Sequence, residues 1–500
     1  MRRGAMIATR MVAVAGSCGC AAAVVASFGA AATTANPIVV ENRHTGTTGW
    51  QLGRTATDAV GQIKGYASAP SVNKGQPITF YVSVNPRQTY TIDVYRMGWY
   101  RGSGGRLMQH VAALPGTNQL DCPIDSTTGL VACNWKASYV LHTRGSWTSG
   151  IYLAKLTNAR GYQNYIMFVV RDDGRSAALL YQEPVDTYEG YNQYPYPDPT
   201  ATDHVHSHNL YPDGSLKGAE EVTFDRPYQE SGASENFLTY EINFLRWLER
   251  SGYDVSYSTD VDTDVHGSRL LKYRGFLSVG HDEYWSTPMY DAIEAARDHG
   301  VNLAFFGANP IYWQVRFGPS ARGVPNRVII CYKDASADPV TDPSLKTVMW
   351  RDPLVNRPEQ ALVGVQYTSL LPSGAPNAAY VVTNSGNWVY AGTGFKDGSS
   401  VPGIVGYEAD RAFSNYPAPT AVAGTYTLLS HSPFTDAYGT SNYANSSIYQ
   451  APSGAWVFGS GTFSWGWALD GYGNHAPVNP GIQRMTANIL DRLSRRGKPG

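Results

Sequence analysis

Phe276-Leu277-Ser278-Val279-Gly280-His281-Asp282-Glu283-Tyr284-Trp285 decides the fold. A short apolar run of strand length stops at a glycine and gives way to charged and aromatic residues. Thr287-Pro288 then opens a helix, with a cap and a first-turn proline, that carries Met289, Ile293 and Ala296 inward as far as Gly300. Val301-Asn302-Leu303-Ala304-Phe305-Phe306 is the next strand. Strand, helix and strand with short links make a right-handed parallel unit, so the sequence predicts an open, mostly parallel α/β sheet. Ligands of such sheets sit beyond the carboxyl ends of the strands. His281, Asp282 and Glu283 lie there after one strand, and Asn309 after the other.

Outward from this unit, 176–180 reads as a short strand and 235–250 as a helix. In that helix Phe237, Glu241, Phe244 and Leu248 lie on one line, with Leu238, Ile242 and Leu245 beside it, and Gly252 in capping position. Residues 253–257 form another strand. Between 182 and 236 runs a Tyr-, Pro-, Asp- and His-rich loop, long enough to suggest function. Residues 360–470 return to β character, and 482–493 form a closing amphipathic helix. Before residue 172 the pattern has period two, as in 77–84, 90–97, 150–156 and 165–170, with no helix legible before 230. The expected architecture is therefore multidomain: an Ig-like β-sandwich over 36–172, then an α/β domain with a β-rich insertion over 173–500. The charged stretch Arg171-Asp172-Asp173-Gly174-Arg175 is the boundary.

Composition narrows the function. The 500 residues are 16% charged, with 51 Gly, 30 Pro and 34 Tyr, and the net charge is −1. Disordered acidic chains and coiled coils are excluded, and there is no electrostatic footprint for nucleic acid. Arg2, Arg3 and Arg10 precede an uncharged Ala- and Val-rich run that ends at Ala30-Ala31-Ala32. Residues 1–35 thus read as a signal peptide, which implies a secreted, extracellular protein with no membrane attachment after cleavage. Cys122 and Cys133 then form a short-loop disulfide, and Cys331, after Val328-Ile329-Ile330, is a buried strand thiol.

The Gly280–Trp285 string, with Phe224-Asp225-Arg226-Pro227-Tyr228 before it and Gly307-Ala308-Asn309-Pro310-Ile311-Tyr312-Trp313 after it, resembles the large (beta) subunit of N,N-dimethylformamidase. More broadly, it resembles the secreted actinobacterial proteins that share that subunit's C-terminal domain, over roughly residues 176–500. The resemblance implies hydrolysis of a small amide at a mononuclear Fe(III) site held by two tyrosinates and one glutamate. It places the glutamate at Glu283 and the first tyrosinate at Tyr191. The second falls on Tyr228, with Tyr240 as the alternative. It places His281, Asn309 and Glu408 in catalytic roles. No docking surface for a small partner subunit is evident, and export sets this chain apart from the intracellular amidase.

The chemistry is coherent. Hard phenolate and carboxylate oxygens suit a hard cation, and two phenolates with one carboxylate balance Fe(III). Such an ion turns water into a nucleophile and polarises a carbonyl. His281 or Glu408 would shuttle a proton to the leaving amine, and Asn309 would donate to the oxyanion. Three other readings stand beside this one. His204, His206 and His208 offer alternating nitrogens to zinc. Tyr90, Tyr95, Trp99 and Tyr100 would form a sugar-stacking surface of a carbohydrate-binding protein. Glu283 and Glu408 would serve as a metal-free glycosidase pair.

Overall fold

Gly307 approaches Gly280 so closely that a Cβ on it would lie 1.9 Å from the Gly280 carbonyl oxygen. Gly280 itself has φ +77, and a Cβ there would meet Glu241 Cγ at 2.7 Å. Glycine at both positions lets two neighbouring strands end together without side chains between them. These strands belong to the central sheet of the protein, seen in a computed structural model that describes residues 35–196, 205–230 and 236–495. The expected signal peptide and His204 lie outside the described residues.

Numbered along the chain, the strands of this sheet are β1 (Leu179–Glu183), β2 (Val255–Thr259), β3 (Gly275–Gly280), β4 (Asn302–Gly307), β5 (Thr427–Leu428), β6 (Ser447–Gln450) and β7 (Trp456–Gly459). Their spatial order is β2-β1-β3-β4-β7-β6-β5. The pairs from β2 to β7 are parallel, and the last two pairs are antiparallel. Every residue of β1, β3 and β4 is buried, as expected of parallel strands covered on both faces. The chain order reverses between β1 and β3, so their carboxyl ends flank the switch-point crevice.

The helix after β3 spans Thr287–Asp298. Its N-cap is Ser286, one residue before the expected start, whose Oγ accepts from Met289 N at 3.2 Å, with Pro288 in the first turn. The helix expected over 235–250 is in two parts, a π-helical turn at Phe237–Glu241 followed by an α-helix at Ile242–Arg250. A π turn shifts the side-chain phase, which the apolar pattern alone does not reveal. Among the described residues two short α-helices precede residue 230, contrary to expectation: Pro37–Glu41 and Val185–Gly190. Five or six residues are too few to show a helical period.

The N-terminal part has two sheets around one core containing Phe80, Val82, Ile92 and Phe168. One sheet is five-stranded and the other three-stranded. Ser71–Asn73 pairs parallel to Gln163–Arg171, so the larger sheet is mixed. Tyr90, Tyr95 and Tyr100 are buried and Trp99 is half-buried, so the four do not present the exposed sugar-stacking surface expected of them. The fully buried Arg96–Glu249 ion pair, 2.7 Å long, ties this part to the α-helix behind β2. The whole is sheet-rich with few helices. Cys122 and Cys133 form the expected disulfide, and Cys331 is a buried thiol. Among the described residues no helix is long and apolar enough to cross a membrane.

Candidate active site

Glu283 lies three residues beyond β3 and is fully buried. Its backbone is clamped from two sides. Its N–H donates to Thr187 Oγ1 at 2.9 Å, and its carbonyl accepts from Tyr312 N and Trp313 N at 2.8 and 3.0 Å. The adjacent Asp282 does not face the crevice. Its carboxylate accepts from Ser278 Oγ, Gln182 Nε2 and Trp285 Nε1, a bracket that fixes the turn.

Both oxygens of Glu283 are taken by phenols. Tyr191 Oη donates to Oε2 at 2.8 Å, and Tyr211 Oη donates to Oε1. Trp313 Nε1 donates to Tyr211 Oη at 3.1 Å, and the two phenol rings stack 5.1 Å apart. His281 Nε2 stands 3.1 Å from Glu283 Oε2 and 3.7 Å from Glu408 Oε2, and its ring packs on Phe463. Asn309 follows β4 with φ +51, its backbone N–H held by Asp410 Oδ1 at 2.8 Å. The structure thus brings Tyr191, His281, Glu283, Asn309 and Glu408 together at the carboxyl edge of β1, β3 and β4.

It does not bring Tyr228 to Glu283. That phenol sits with Glu189, Arg226 and Arg327 around a separate, water-sized cavity. Tyr240 stacks on Trp467 and packs near Phe463, beside the site rather than on the carboxylate. The second phenol on Glu283 is Tyr211, which the sequence reading passed over. Asn209 Oδ1 accepts from Tyr211 N at 3.0 Å, an Asx turn that aims the ring. Leu210 N donates to Gly190 O at 2.9 Å, seating this turn beside Tyr191. Within the 224–228 string the working residue is Arg226. It pairs with Glu189 at 3.2 Å and donates to His208 O at 2.7 Å, so one guanidinium binds both segments that carry the phenols.

Lys333, also unforeseen, lies over the Tyr211 ring, 3.1 Å from its centroid, and donates to Tyr284 Oη at 3.1 Å. Burial pushes this ammonium down to about 8. Burial opposes ionisation of Glu283, yet His281 and Lys333 hold it below the ordinary carboxylate range. Burial also opposes a charged His281, but Glu408 and Glu283 outweigh it and raise the ring's pKa. Burial lifts Glu408 to about 7 against the pull of His281. Burial and the charge of Glu283 drive Tyr191 and Tyr211 well above the ordinary phenol value, so an unaided phenol here keeps its proton.

His206 and His208 are buried, and His208 Nδ1 faces Pro195 O at 3.1 Å. Among the described residues no group of three or more His, Cys, Asp or Glu is arranged to hold a metal ion. The zinc reading of the histidine string has no support among them. Any metal at Glu283 would need phenol oxygens. The donor set fits a hard trivalent cation: two phenols and a carboxylate converge in a buried place, and ionised they carry three negative charges.

A crevice at the switch point of an α/β sheet, where phenols, two carboxylates and one imidazole converge, defines the class of a ligand-binding site in a sheet-rich protein. The chain belongs to the family described as N,N-dimethylformamidase beta subunit-like, C-terminal, whose pattern matches residues 91–478. It is similar to the N,N-dimethylformamidase beta subunit of Alcaligenes sp, 23% identical over 194 residues. The subunit of Paracoccus aminophilus is 24% identical over the same length. Each match covers 36% of this chain and 24% of that subunit, so the matched region spans about a quarter of the relatives' length. Among solved structures, a superoxide reductase from Ignicoccus hospitalis aligns with 22% of this chain and 79% of its own, at 13% identity and a TM-score of 0.14.

Proposed function

We propose that this chain hydrolyses a carbon–nitrogen amide bond, with one ferric ion held by Tyr191, Tyr211 and Glu283. The observation that carries the reading is the pair of phenol hydroxyls on the two oxygens of one buried glutamate. Glu241 also accepts from two phenols, Tyr181 and Tyr188, but the phenols on Glu283 line a cavity shared with Asn309 and Glu408, where a ligand can reach them. A bound trivalent ion would supply the charge that ionises them, polarise an amide carbonyl and acidify a water. Family membership and the amidase names of the relatives support the reaction class.

The chain's own residues divide the remaining work. Glu408, near 7, can take a proton from the attacking water at neutral pH and return it to the leaving nitrogen. His281 Nε2 bridges Glu408 and Glu283 and holds positive charge between them. Asn309 lines the same cavity and can donate its amide N–H to the oxygen that gains charge. Glu283 has both oxygens engaged, which argues against a glycosidase pair in which it would have to flank a sugar freely. The N-terminal leader pattern and the Cys122–Cys133 bridge support an exported protein. The relatives are named as beta subunits, which leaves room for a partner chain here.

The test is release of amine and acid from simple amides by the full chain and by Glu408→Gln. The expected result is hydrolysis that the variant loses by about 10²–10⁴-fold. Wild-type protein that carries iron but hydrolyses no amide of any size would overturn the reaction class.

A further inference from the structure

The cavity above Tyr191 and Tyr211 is far larger than a small formamide needs. Its volume is about 410 Å³, within the range of sites for drug-sized ligands. Its outer wall is almost entirely aromatic, formed by Tyr312, Trp313, Tyr367, Tyr407 and Tyr438 together with Leu370. The Tyr312 and Tyr367 rings meet edge-on, 5.3 Å apart, and so present faces at different angles.

Among the described residues, none hydrogen-bonds the hydroxyls of Tyr312, Tyr367, Tyr407 or Tyr438. Tyr438 is 80% exposed, yet the turn that carries it is firmly built. Asp436 Oδ1 accepts from Tyr438 N and Thr440 N at 3.0 and 2.9 Å, and Asp436 Oδ2 accepts from Ser369 Oγ at 3.1 Å. The turn holds this phenol at the rim of the cavity, where an entering ligand would meet it. No Lys or Arg lines the cavity, so its aromatic wall offers no side-chain cation to a charged ligand, and Glu408 adds an acceptor.

From this we infer that the site takes an amide borne on a neutral, polyhydroxylated ring: an N-acylated amino sugar. The inference rests on the amide-hydrolase reading above and names its substrate class. Sugar rings present C–H faces to aromatic rings and hydroxyls to phenols and carboxylates, which matches a wall of aromatic faces with unused hydroxyls. An alkyl amide would leave those hydroxyls unused, and an unsubstituted aryl amide would use only the faces. In the reaction, the oxygen of water bonds to the acyl carbon, the carbon–nitrogen bond breaks, and the proton passes to the amine nitrogen. No oxidant or reductant is needed.

The test is calorimetric titration of the iron-loaded full chain with di-N-acetylchitobiose, cellobiose, acetanilide and N,N-dimethylformamide, with acid and amine release measured in parallel. The expected result is that di-N-acetylchitobiose binds at least about ten-fold tighter than each of the other three and releases acetate. Tyr438→Ala and Tyr367→Ala should each weaken that binding by about two- to ten-fold, the range of one aromatic contact. Tyr438 is so exposed that its variant tests the wall without threatening the fold. Equal or tighter binding of acetanilide or N,N-dimethylformamide would overturn the substrate class, as would unchanged affinity in both tyrosine variants. If small amides are hydrolysed while the disaccharide neither binds nor reacts, the substrate class falls and the amidase reading stands. Tight, tyrosine-dependent disaccharide binding with no hydrolysis of any amide would support the wall's assignment and sink the amidase reading instead.

Discussion

Tyr211 Oη donates to Glu283 Oε1 across 72 residues of chain, opposite the bond from Tyr191 Oη to the other oxygen. Two phenols on one carboxylate form a compact oxygen triad that neither strand periodicity nor the 224–228 string suggests. The triad makes Tyr211, not Tyr228, the partner of Tyr191.

Substituting the two candidate tyrosines separates these assignments. Tyr211→Phe removes one of three oxygen donors and should lower bound iron at least about ten-fold, together with any visible absorption band. Tyr228→Phe touches a different cavity and should keep both. Iron content by elemental analysis checks this. Equal loss in the two variants would mean that the phenols act through the fold.

Arg226 ties Glu189 to the segment that carries Tyr211. Arg226→Met leaves Glu189 buried without its cation and should cost about 3–5 kcal/mol of stability. Denaturant titration reads this loss. A variant as stable as wild type would show that the pair contributes nothing net.

Much of the catalytic edge is legible in the sequence for a physical reason. β3 and β4 are short apolar runs ended by glycine, and the residues beyond them, His281, Glu283 and Asn309, follow from the rule for open sheets. Tyr211 was hidden because its loop has no period. Its position depends on Asn209 and on Leu210 bonding to Gly190, contacts made only after folding. Lys333 likewise reaches the phenols from a distant strand end. The π turn at Phe237–Glu241 was hidden because apolar spacing in a single turn does not distinguish it from an α-helix.

That π turn carries Glu241 into a buried group with Glu183 and Tyr188. Tyr188 Oη contacts both carboxyls but has one proton to give, so one acid must keep its own. Burial pushes Glu241 up to about 8 from 4.5. In the unfolded chain this acid ionises first, so between those values the folded state binds more protons and stability falls as pH rises. Thermal melts should therefore show the melting temperature dropping from pH 5 to pH 8. Glu241→Gln, which cannot ionise, should lessen the drop, leaving the part due to Glu183, and gain about 1–3 kcal/mol on wild type at pH 8, with no gain at pH 5. Parallel curves for the two proteins would contradict the assignment.

The central claim is that Glu283 and the two phenols hold a ferric ion. The most direct measurement is iron content and visible absorption of the purified full chain beside Glu283→Gln. Gln keeps the shape and a hydrogen-bonding oxygen, so the variant should fold, while one anionic donor is gone. The account predicts about one iron per wild-type chain with a tyrosinate-to-iron band, and loss of both in folded Glu283→Gln. A folded Glu283→Gln with full iron and an unchanged spectrum would contradict it, as would a wild-type chain that takes up no ferric ion.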